Sequence, residues 1–206
     1  MLDKRFDGSL HIYSELTSLS FRSNINAEME AFGDYEILVG TYEEFVLGYK
    51  IVPELKDGDA CSLVPSFTVK SHCGPVRSVC TGSKYAVSGG SDEVCKIFDM
   101  TKRAEHGTLM HHEGTVSCMA THSSTSHLLT GSDDNTIAVV RMGSWQVEKT
   151  LYKHTAGVTA MALHPTGKLV FTAGKDKKMI TWNLVKARPA FITNIKVGKD
   201  GGQVMF

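Results

Sequence analysis

The feature that most constrains this chain of 206 residues is a polar pattern that recurs every 42 residues. Asp92, Asp134 and Asp176 follow one another at that interval. Each aspartate has a Ser or Thr four positions before it and a histidine 20 to 22 positions before it. A fixed period of this length, with the same residue types at the same offsets, indicates an array of similar structural units.

The recurring residues form three sets, which we call tetrads. Each tetrad contains a loop histidine, a Ser or Thr, a turn aspartate and a bulky residue six positions after the aspartate. The first is His72, Ser88, Asp92 and Phe98; the second is His112, Thr130, Asp134 and Val140; the third is His154, Thr172, Asp176 and Trp182. Tryptophan occurs in the third tetrad alone, and Phe98 keeps the bulk of that ring but lacks its N–H donor.

Short apolar runs separated by turn residues make up each repeat. In the third repeat they predict strands near Val158–Leu163, Leu169–Ala173, Met179–Trp182 and Pro189–Ile192. Equivalent runs lie near Val76–Cys80, Tyr85–Ser88, Val94–Phe98 and His106–Leu109, and near Val116–Ala120, His127–Thr130, Thr136–Val140 and Gln146–Tyr152. Runs this short, with turn signals about every 8–12 residues, predict an all-β fold of four-stranded units.

The tetrads have a mechanical interpretation. A turn aspartate can accept hydrogen bonds from its own backbone and from the loop histidine, and the hydroxyl can join that histidine to an indole N–H. A charge-assisted hydrogen bond of this kind contributes about 1.5–3 kcal/mol to stability. We therefore interpret the tetrad residues as ties that hold one sheet together, and we assign no catalytic, cofactor-binding or metal-binding role to any of them.

A loop histidine, a Ser or Thr followed by glycine, a turn aspartate and a closing Trp-Asp, all within about 40–45 residues, resemble the WD-repeat β-propeller. The resemblance implies a partial propeller: three full blades near residues 67–110, 111–152 and 153–194, and two partial ones, from a seven-bladed ring. Residues 35–52 would belong to a degenerate blade, residues 53–65 to a linker, and residues 195–206 to the start of another blade. An open arc exposes apolar blade faces, so we expect a fragment or a short form of a longer protein.

Several stretches resemble, more specifically, the p21-activated kinase-interacting family of WD-repeat proteins. They are Tyr35–Val52, Glu105–His112, His164–Leu169, Thr181–Leu184 and Arg188–Ile192. The resemblance covers residues 35–206. It implies a scaffold without enzyme activity that binds the regulatory region of p21-activated kinases and restrains their activation. It also implies a role in large (60S) ribosomal subunit assembly in the nucleus and nucleolus, with pre-60S factors as partners and an indirect contact to rRNA. A generic WD-repeat adaptor in another complex and a propeller enzyme are the alternatives.

Residues 1–34 lack the repeat pattern, and we expect a poorly ordered N-terminal extension there. The chain has 22 basic and 22 acidic residues, so its net charge gives no general attraction to nucleic acid or anionic lipid. No apolar run approaches the roughly 18 residues of a membrane span. Five cysteines, an odd number without CxxC spacing, suit a reducing intracellular compartment, and Cys80, Cys95 and Cys118 lie on predicted strands.

Three other patterns invite functional interpretations. The histidines at 106, 111 and 112 cluster, but without metal-binding spacing, and we predict no metal, no cofactor and no small-molecule substrate. The aspartates at 92, 133, 134 and 176 could suggest acid–base chemistry, but repeat phase assigns three of them to turns. The basic residues at 175, 177, 178, 186 and 188 form either a solvated rim or a contact with rRNA or an acidic partner.

Overall fold

The computed structural model of the chain describes residues 16–22, 36–53, 61–122 and 125–195. Within these ranges the chain forms sixteen β-strands in four antiparallel sheets of four strands each. Every sheet is a meander, because strands that follow one another in sequence are also neighbours in the sheet. The prediction of an all-β partial propeller is confirmed.

We number the sheets as blades 1 to 4 in chain order. Blade 1 contains β1 (Leu16–Arg22), β2 (Glu36–Thr41), β3 (Phe45–Pro53) and β4 (Cys61–Lys70). Blade 2 contains β5 (Val76–Gly82), β6 (Tyr85–Gly90), β7 (Cys95–Asp99) and β8 (Ala104–Leu109). Blade 3 contains β9 (Val116–His122), β10 (Thr125–Ser132), β11 (Thr136–Arg141) and β12 (Gln146–Tyr152). Blade 4 contains β13 (Val158–Leu163), β14 (Leu169–Gly174), β15 (Lys178–Asn183) and β16 (Arg188–Asn194).

Blade 1 corrects two sequence-based predictions, because it is a complete sheet. The predicted linker, residues 53–65, overlaps β4, which pairs with β3 from Lys70 opposite Phe45 to Cys61 opposite Pro53. Pro65 suggested a linker, but it lies on an outer strand beside a shift in register between Gly48 and Tyr49, and proline is tolerated at such places.

The second correction concerns β1, which lies inside the predicted N-terminal extension. Its residues pair with β2, from Leu16 opposite Thr41 to Arg22 opposite Glu36. The boundary of the array therefore lies earlier than residue 35. The poor order expected for the rest of the extension, and the further blade expected after residue 195, fall outside the described residues.

The turn between the second and third strands has the same backbone form in every blade. It contains one residue in the left-handed region, with φ angles of 73° at Glu44, 68° at Glu93, 72° at Asn135 and 57° at Lys177. The last three residues are 42 positions apart, like the aspartates beside them. The period of the sequence is therefore also a period of the backbone, although non-glycine residues adopt this conformation infrequently.

Neighbouring blades pack against each other through apolar clusters. One cluster joins blades 1 and 2, a second joins blades 2 and 3, and a third joins blades 3 and 4. The valines that open the inner strands of blades 2 to 4, Val76, Val116 and Val158, are fully buried in these clusters. Burying one such side chain contributes about 1.5–3 kcal/mol, so contacts between blades are a main source of stability.

Each of these valines lies against a glycine on the second strand of the preceding blade. A Cβ added to Gly40 would lie 2.6 Å from Val76 Cγ1, and one added to Gly89 would lie 2.6 Å from Val116 Cγ1. The corresponding Gly131 meets Val158 at 3.1 Å and the Cys118 sulfur at 2.7 Å. At Gly89 and Gly131, which follow the Ser or Thr of the repeat, close packing between blades therefore requires a glycine.

Candidate functional site

The tetrad of blade 4 forms one continuous hydrogen-bonded chain. His154 is buried, with Nδ1 3.0 Å from Asp176 Oδ2 and Nε2 2.9 Å from Thr172 Oγ1. The indole N–H of Trp182 donates to the same Thr172 oxygen over 2.8 Å. The structure thus brings together the four residues that the sequence pattern singled out. They come from the loop before β13, from β14, from the turn after it and from β15.

Asp176 also ties the loop to the turn. Its carboxylate accepts hydrogen bonds from the backbone N–H groups of Thr155 and Lys178, both at 3.1 Å. Burial acts to raise the pKa of Asp176, but the donors from Thr155, His154 and Lys178 outweigh it and hold the pKa below its ordinary value. The ionised carboxylate is therefore the form that the folded blade favours.

Blade 2 repeats this arrangement without the indole. His72 Nδ1 lies 2.9 Å from Asp92 Oδ1, and His72 Nε2 lies 2.7 Å from Ser88 Oγ. The backbone N–H of Cys73 donates to the Asp92 carboxylate over 2.9 Å. Phe98 is buried between blades 1 and 2 and fills the place of the tryptophan by packing alone.

Blade 3 contains a residue that the sequence analysis did not assign to a tetrad. His112 lies 2.7 Å from Asp134 Oδ2 and 2.8 Å from Thr130 Oγ1, as the pattern predicts. Val140 is buried and offers no donor. The Nε2 atom of the neighbouring His111 lies 2.9 Å from the same Thr130 oxygen.

The hydrogen-bond network assigns a donor or an acceptor role to each of these nitrogens. His112 donates from Nδ1 to the carboxylate, so its Nε2 accepts the Thr130 hydroxyl proton. The Thr130 oxygen then accepts from His111 Nε2–H, as Thr172 accepts from the indole of Trp182. Burial, followed by the nearby His112, lowers the pKa of His111 to about 4, so this imidazole is neutral at pH 7. The His111-His112 doublet, in the repeat that carries valine in place of tryptophan, was the available sequence signal.

A pocket of about 340 Å³ lies beside the inner strands. It is at the same end of the blades as the loops that contain the tetrad histidines. Blades 2 to 4 contribute equivalent positions to it. The residues that follow the buried valines of blades 2, 3 and 4 line it: Arg77, Ser117 and Thr159. So do the residues that follow the second strands of the same blades: Ser91, Asp133 and Lys175. Pro75 and Thr115, from the loops that lead into β5 and β9, complete the lining.

The pocket has one uncompensated positive charge. Lys175 Nζ forms an ion pair with Asp133 Oδ1 across blades 4 and 3, at 2.8 Å. Arg77 is exposed and forms no ion pair with any residue in the described ranges. The arrangement can bind an anionic group. It does not resemble an acid–base pair, because Asp133 is the one carboxylate in the lining and it already has a cation as its partner.

Other residues that the sequence pattern singled out lie in separate parts of the fold. The basic residues near the C-terminus do not form one patch, because Lys175 and Lys186 lie in the turns at opposite ends of β15. Cys80 and Cys95 are buried, and burial raises the pKa of the Cys80 thiol to about 12. In the described ranges, no three His, Cys, Asp or Glu side chains are placed to hold a metal ion. Across the same residues, we find no helix that is long and apolar enough to cross a membrane.

Comparison with known families agrees with this architecture. Residues 63–99, 104–140 and 145–183 match the family model described as WD domain, G-beta repeat. The chain therefore belongs to the WD-repeat family. Each matched segment runs from the outer strand of one blade through the third strand of the next, so every sequence repeat links two neighbouring sheets.

Individual relatives are longer than this chain. It is 39% identical over 165 residues to "p21-activated protein kinase-interacting protein 1-like" from Danio rerio, covering 80% of this chain and 44% of that protein. It is 38% identical over 164 residues to "p21-activated protein kinase-interacting protein 1" from Homo sapiens, covering 78% and 42%. It is 30% identical over 196 residues to "Protein MAK11" from Saccharomyces cerevisiae, covering 84% and 47%. The chain thus spans less than half the length of these curated relatives.

Proposed function

We propose that this chain is a protein-interaction scaffold without enzyme activity, and that partners bind at the pocket end of its blades. The observation that carries the proposal is the pocket itself. Three successive blades contribute equivalent residues to it, and Arg77 leaves one charge there unmatched. Propellers host many functions, so the partner must be argued from the site and from relatives rather than from the fold.

The partner that we propose is the regulatory region of a p21-activated kinase, with the chain acting to restrain activation of the kinase. Two relatives with 38% and 39% identity carry the kinase interaction in their names. The similarity extends over about four-fifths of this chain.

A direct binding experiment tests this role. The full chain is immobilised and the purified regulatory segment of a p21-activated kinase is passed over it, with the isolated catalytic domain as the matched control. We expect saturable binding of the regulatory segment and none of the catalytic domain. In a parallel assay, the chain should lower the activation of the intact kinase. Binding to neither protein would overturn the kinase role.

A second role follows from the resemblance of residues 35–206 to this family. We propose that the chain also takes part in large (60S) ribosomal subunit assembly, in the nucleus and nucleolus, with pre-60S factors as partners and an indirect contact to rRNA. The length of the match to Protein MAK11, 84% of this chain, supports a relationship beyond the kinase-interacting proteins.

Affinity purification of the tagged chain from cells distinguishes the two roles. Recovery of large-subunit precursor proteins and rRNA, and sedimentation of the chain with pre-60S particles, would support the assembly role. Recovery of the kinase without these particles would support the kinase role alone. Recovery of chaperones alone would contradict both roles for this length of chain.

A further inference from the structure

The guanidinium of Arg77 is the least satisfied charged group of the pocket. It follows the fully buried Val76 on β5, so its backbone is held by the packing between blades 1 and 2. Its side chain is exposed and forms no ion pair with any described residue. An arginine whose backbone is held in place and whose planar guanidinium has no ion-pair partner is well suited to bind a carboxylate through two parallel hydrogen bonds.

Four hydroxyl groups line the pocket with Arg77, and two of them, those of Ser91 and Thr115, are available as donors. Ser117 Oγ already donates to backbone carbonyl oxygens, including that of Gly131 at 3.1 Å, and Thr159 Oγ1 donates to the carbonyl oxygen of Ala173 at 3.1 Å. Ser91 and Thr115 line the same pocket, and their hydroxyls form no hydrogen bond with residues in the described part of the chain. Their backbone groups do hold the turns, since Ser91 N–H donates to the Pro75 carbonyl oxygen over 2.9 Å.

We propose that this pocket binds the carboxylate of a glutamate or aspartate in an acidic segment of the partner protein. Arg77 supplies the charge, and the free hydroxyls of Ser91 and Thr115 supply further hydrogen bonds. The inference rests on the proposed scaffold function, because it assigns chemistry to the surface where that function places the partner. A volume of about 340 Å³ suits a single side chain and its neighbouring backbone.

The charges of the pocket favour a carboxylate over a phosphate. Asp133 lines the same pocket and already forms an ion pair with Lys175. A phosphate group carries a charge of about −1.5 to −2 at neutral pH and would be repelled by the Asp133 carboxylate, with Arg77 alone to offset it. A carboxylate carries one negative charge and matches Arg77, the one cation of the described lining without an ion-pair partner.

The test uses the full chain and a fluorescent, blocked peptide of alternating glutamate and glycine. Peptides with glutamine or phosphoserine in place of glutamate are the matched probes. We expect the glutamate peptide to bind, the glutamine peptide not to bind, and the phosphoserine peptide to bind more weakly. Affinity for the glutamate peptide should fall as salt is added, because the Arg77 side chain is exposed and salt screens its charge.

Three variants make the test specific. Arg77→Gln should weaken binding of the glutamate peptide by about tenfold, the effect of one charge-assisted hydrogen bond. Arg188→Gln removes the same charge from the exposed outer strand β16 and should leave affinity unchanged. Asp133→Asn removes the competing carboxylate and frees Lys175, so it should tighten binding severalfold.

The outcomes separate this inference from the proposed function. If the glutamate peptide binds as described but the kinase segment does not bind, the carboxylate pocket stands and the kinase role fails. If the kinase segment binds wild type and Arg77→Gln equally well, the kinase interaction stands and the carboxylate site at Arg77 is wrong. Equal losses in Arg77→Gln and Arg188→Gln, or tighter binding of the phosphoserine peptide, would also overturn the inference.

Discussion

His111 Nε2 lies 2.9 Å from the hydroxyl oxygen of Thr130 and occupies the donor position that Trp182 holds for Thr172 in blade 4. The two donors reach the hydroxyl from different places, His111 from the loop before β9 and Trp182 from β15. Blade 3 therefore completes its tetrad although the usual tryptophan position holds Val140. Blades 3 and 4 thus share the hydrogen bond onto the hydroxyl while the residue that donates it changes.

Replacing His111 by alanine should reduce the free energy of unfolding by about 1–2 kcal/mol, because the Thr130 oxygen loses a donor. Lys153→Ala is the matched control, since Lys153 precedes the tetrad histidine of blade 4 and is exposed. Urea unfolding of both variants measures the difference. A loss of similar size in Lys153→Ala would show that His111 has no special role in the tetrad.

His111 should also make stability depend on pH between about 6.5 and 4. The unfolded histidine binds a proton near pH 6.5, whereas the pKa of His111 in the folded chain is lowered to about 4. Its contribution is complete above pH 6.5 and is lost as the pH falls to about 4. The loss should be about 1–2 kcal/mol after a discount for partial exposure to solvent.

His111→Gln tests this dependence, because glutamine can donate to Thr130 but does not titrate. The difference in unfolding free energy between wild type and His111→Gln should change between pH 7 and pH 4, in favour of the variant at pH 4. A constant difference over this range would contradict the assignment of a neutral, half-buried His111.

Asp176 should be far more sensitive to substitution than its neighbour in the same turn. Asp176→Ala removes the acceptor of His154 and of two backbone N–H groups, and should reduce the free energy of unfolding by about 1–3 kcal/mol. Lys177→Ala should have almost no effect, because the exposed Lys177 side chain forms no hydrogen bond or ion pair with the described residues. Lysine and alanine must also adopt the same φ of 57° at this position. Equal shifts in thermal melting would contradict the tetrad interpretation.

Gly89 tests the packing between blades 2 and 3. A Cβ there would lie 2.6 Å from Val116 Cγ1 and 2.9 Å from Ser78 Oγ, so Gly89→Ala should reduce stability by about 1–3 kcal/mol. Gly107→Ala makes the same change on β8, where no atom lies within 4 Å of the new Cβ. It should be neutral or slightly stabilising, and a larger loss there than at Gly89 would refute the close approach of the blades.

The sequence predicted most of blades 2 to 4 because two independent signals coincide there. Alternating short apolar runs place the strands, and the spacing of Asp92, Asp134 and Asp176 sets their phase. Blade 1 was predicted only in part, as a degenerate blade over residues 35–52, because it has no such aspartate: Glu44 holds the left-handed position of its second turn without the preceding tetrad residues. β1 and β4 could then be recognised only by their pairing with β2 and β3, which is a tertiary property.

The pocket was beyond the sequence analysis for a related reason. Its lining combines positions from three repeats that are about 40 residues apart, and none of them forms a recognisable motif on its own. Asp133 and Lys175 were both noted in the sequence, but their 2.8 Å contact depends on the spacing between blades 3 and 4. Arg77 stands at the position that carries Ser117 and Thr159 in the other repeats, so the period gave no reason to single it out.

A competition experiment tests directly whether a partner protein binds this chain at the Arg77 pocket. A p21-activated kinase regulatory segment is bound to the immobilised chain, and the alternating glutamate–glycine peptide is added. We expect that the peptide displaces the segment, that the glutamine peptide does not, and that Arg77→Gln weakens the binding of both ligands in parallel. A segment that stays bound at saturating glutamate peptide, with unchanged affinity for Arg77→Gln, would contradict this expectation.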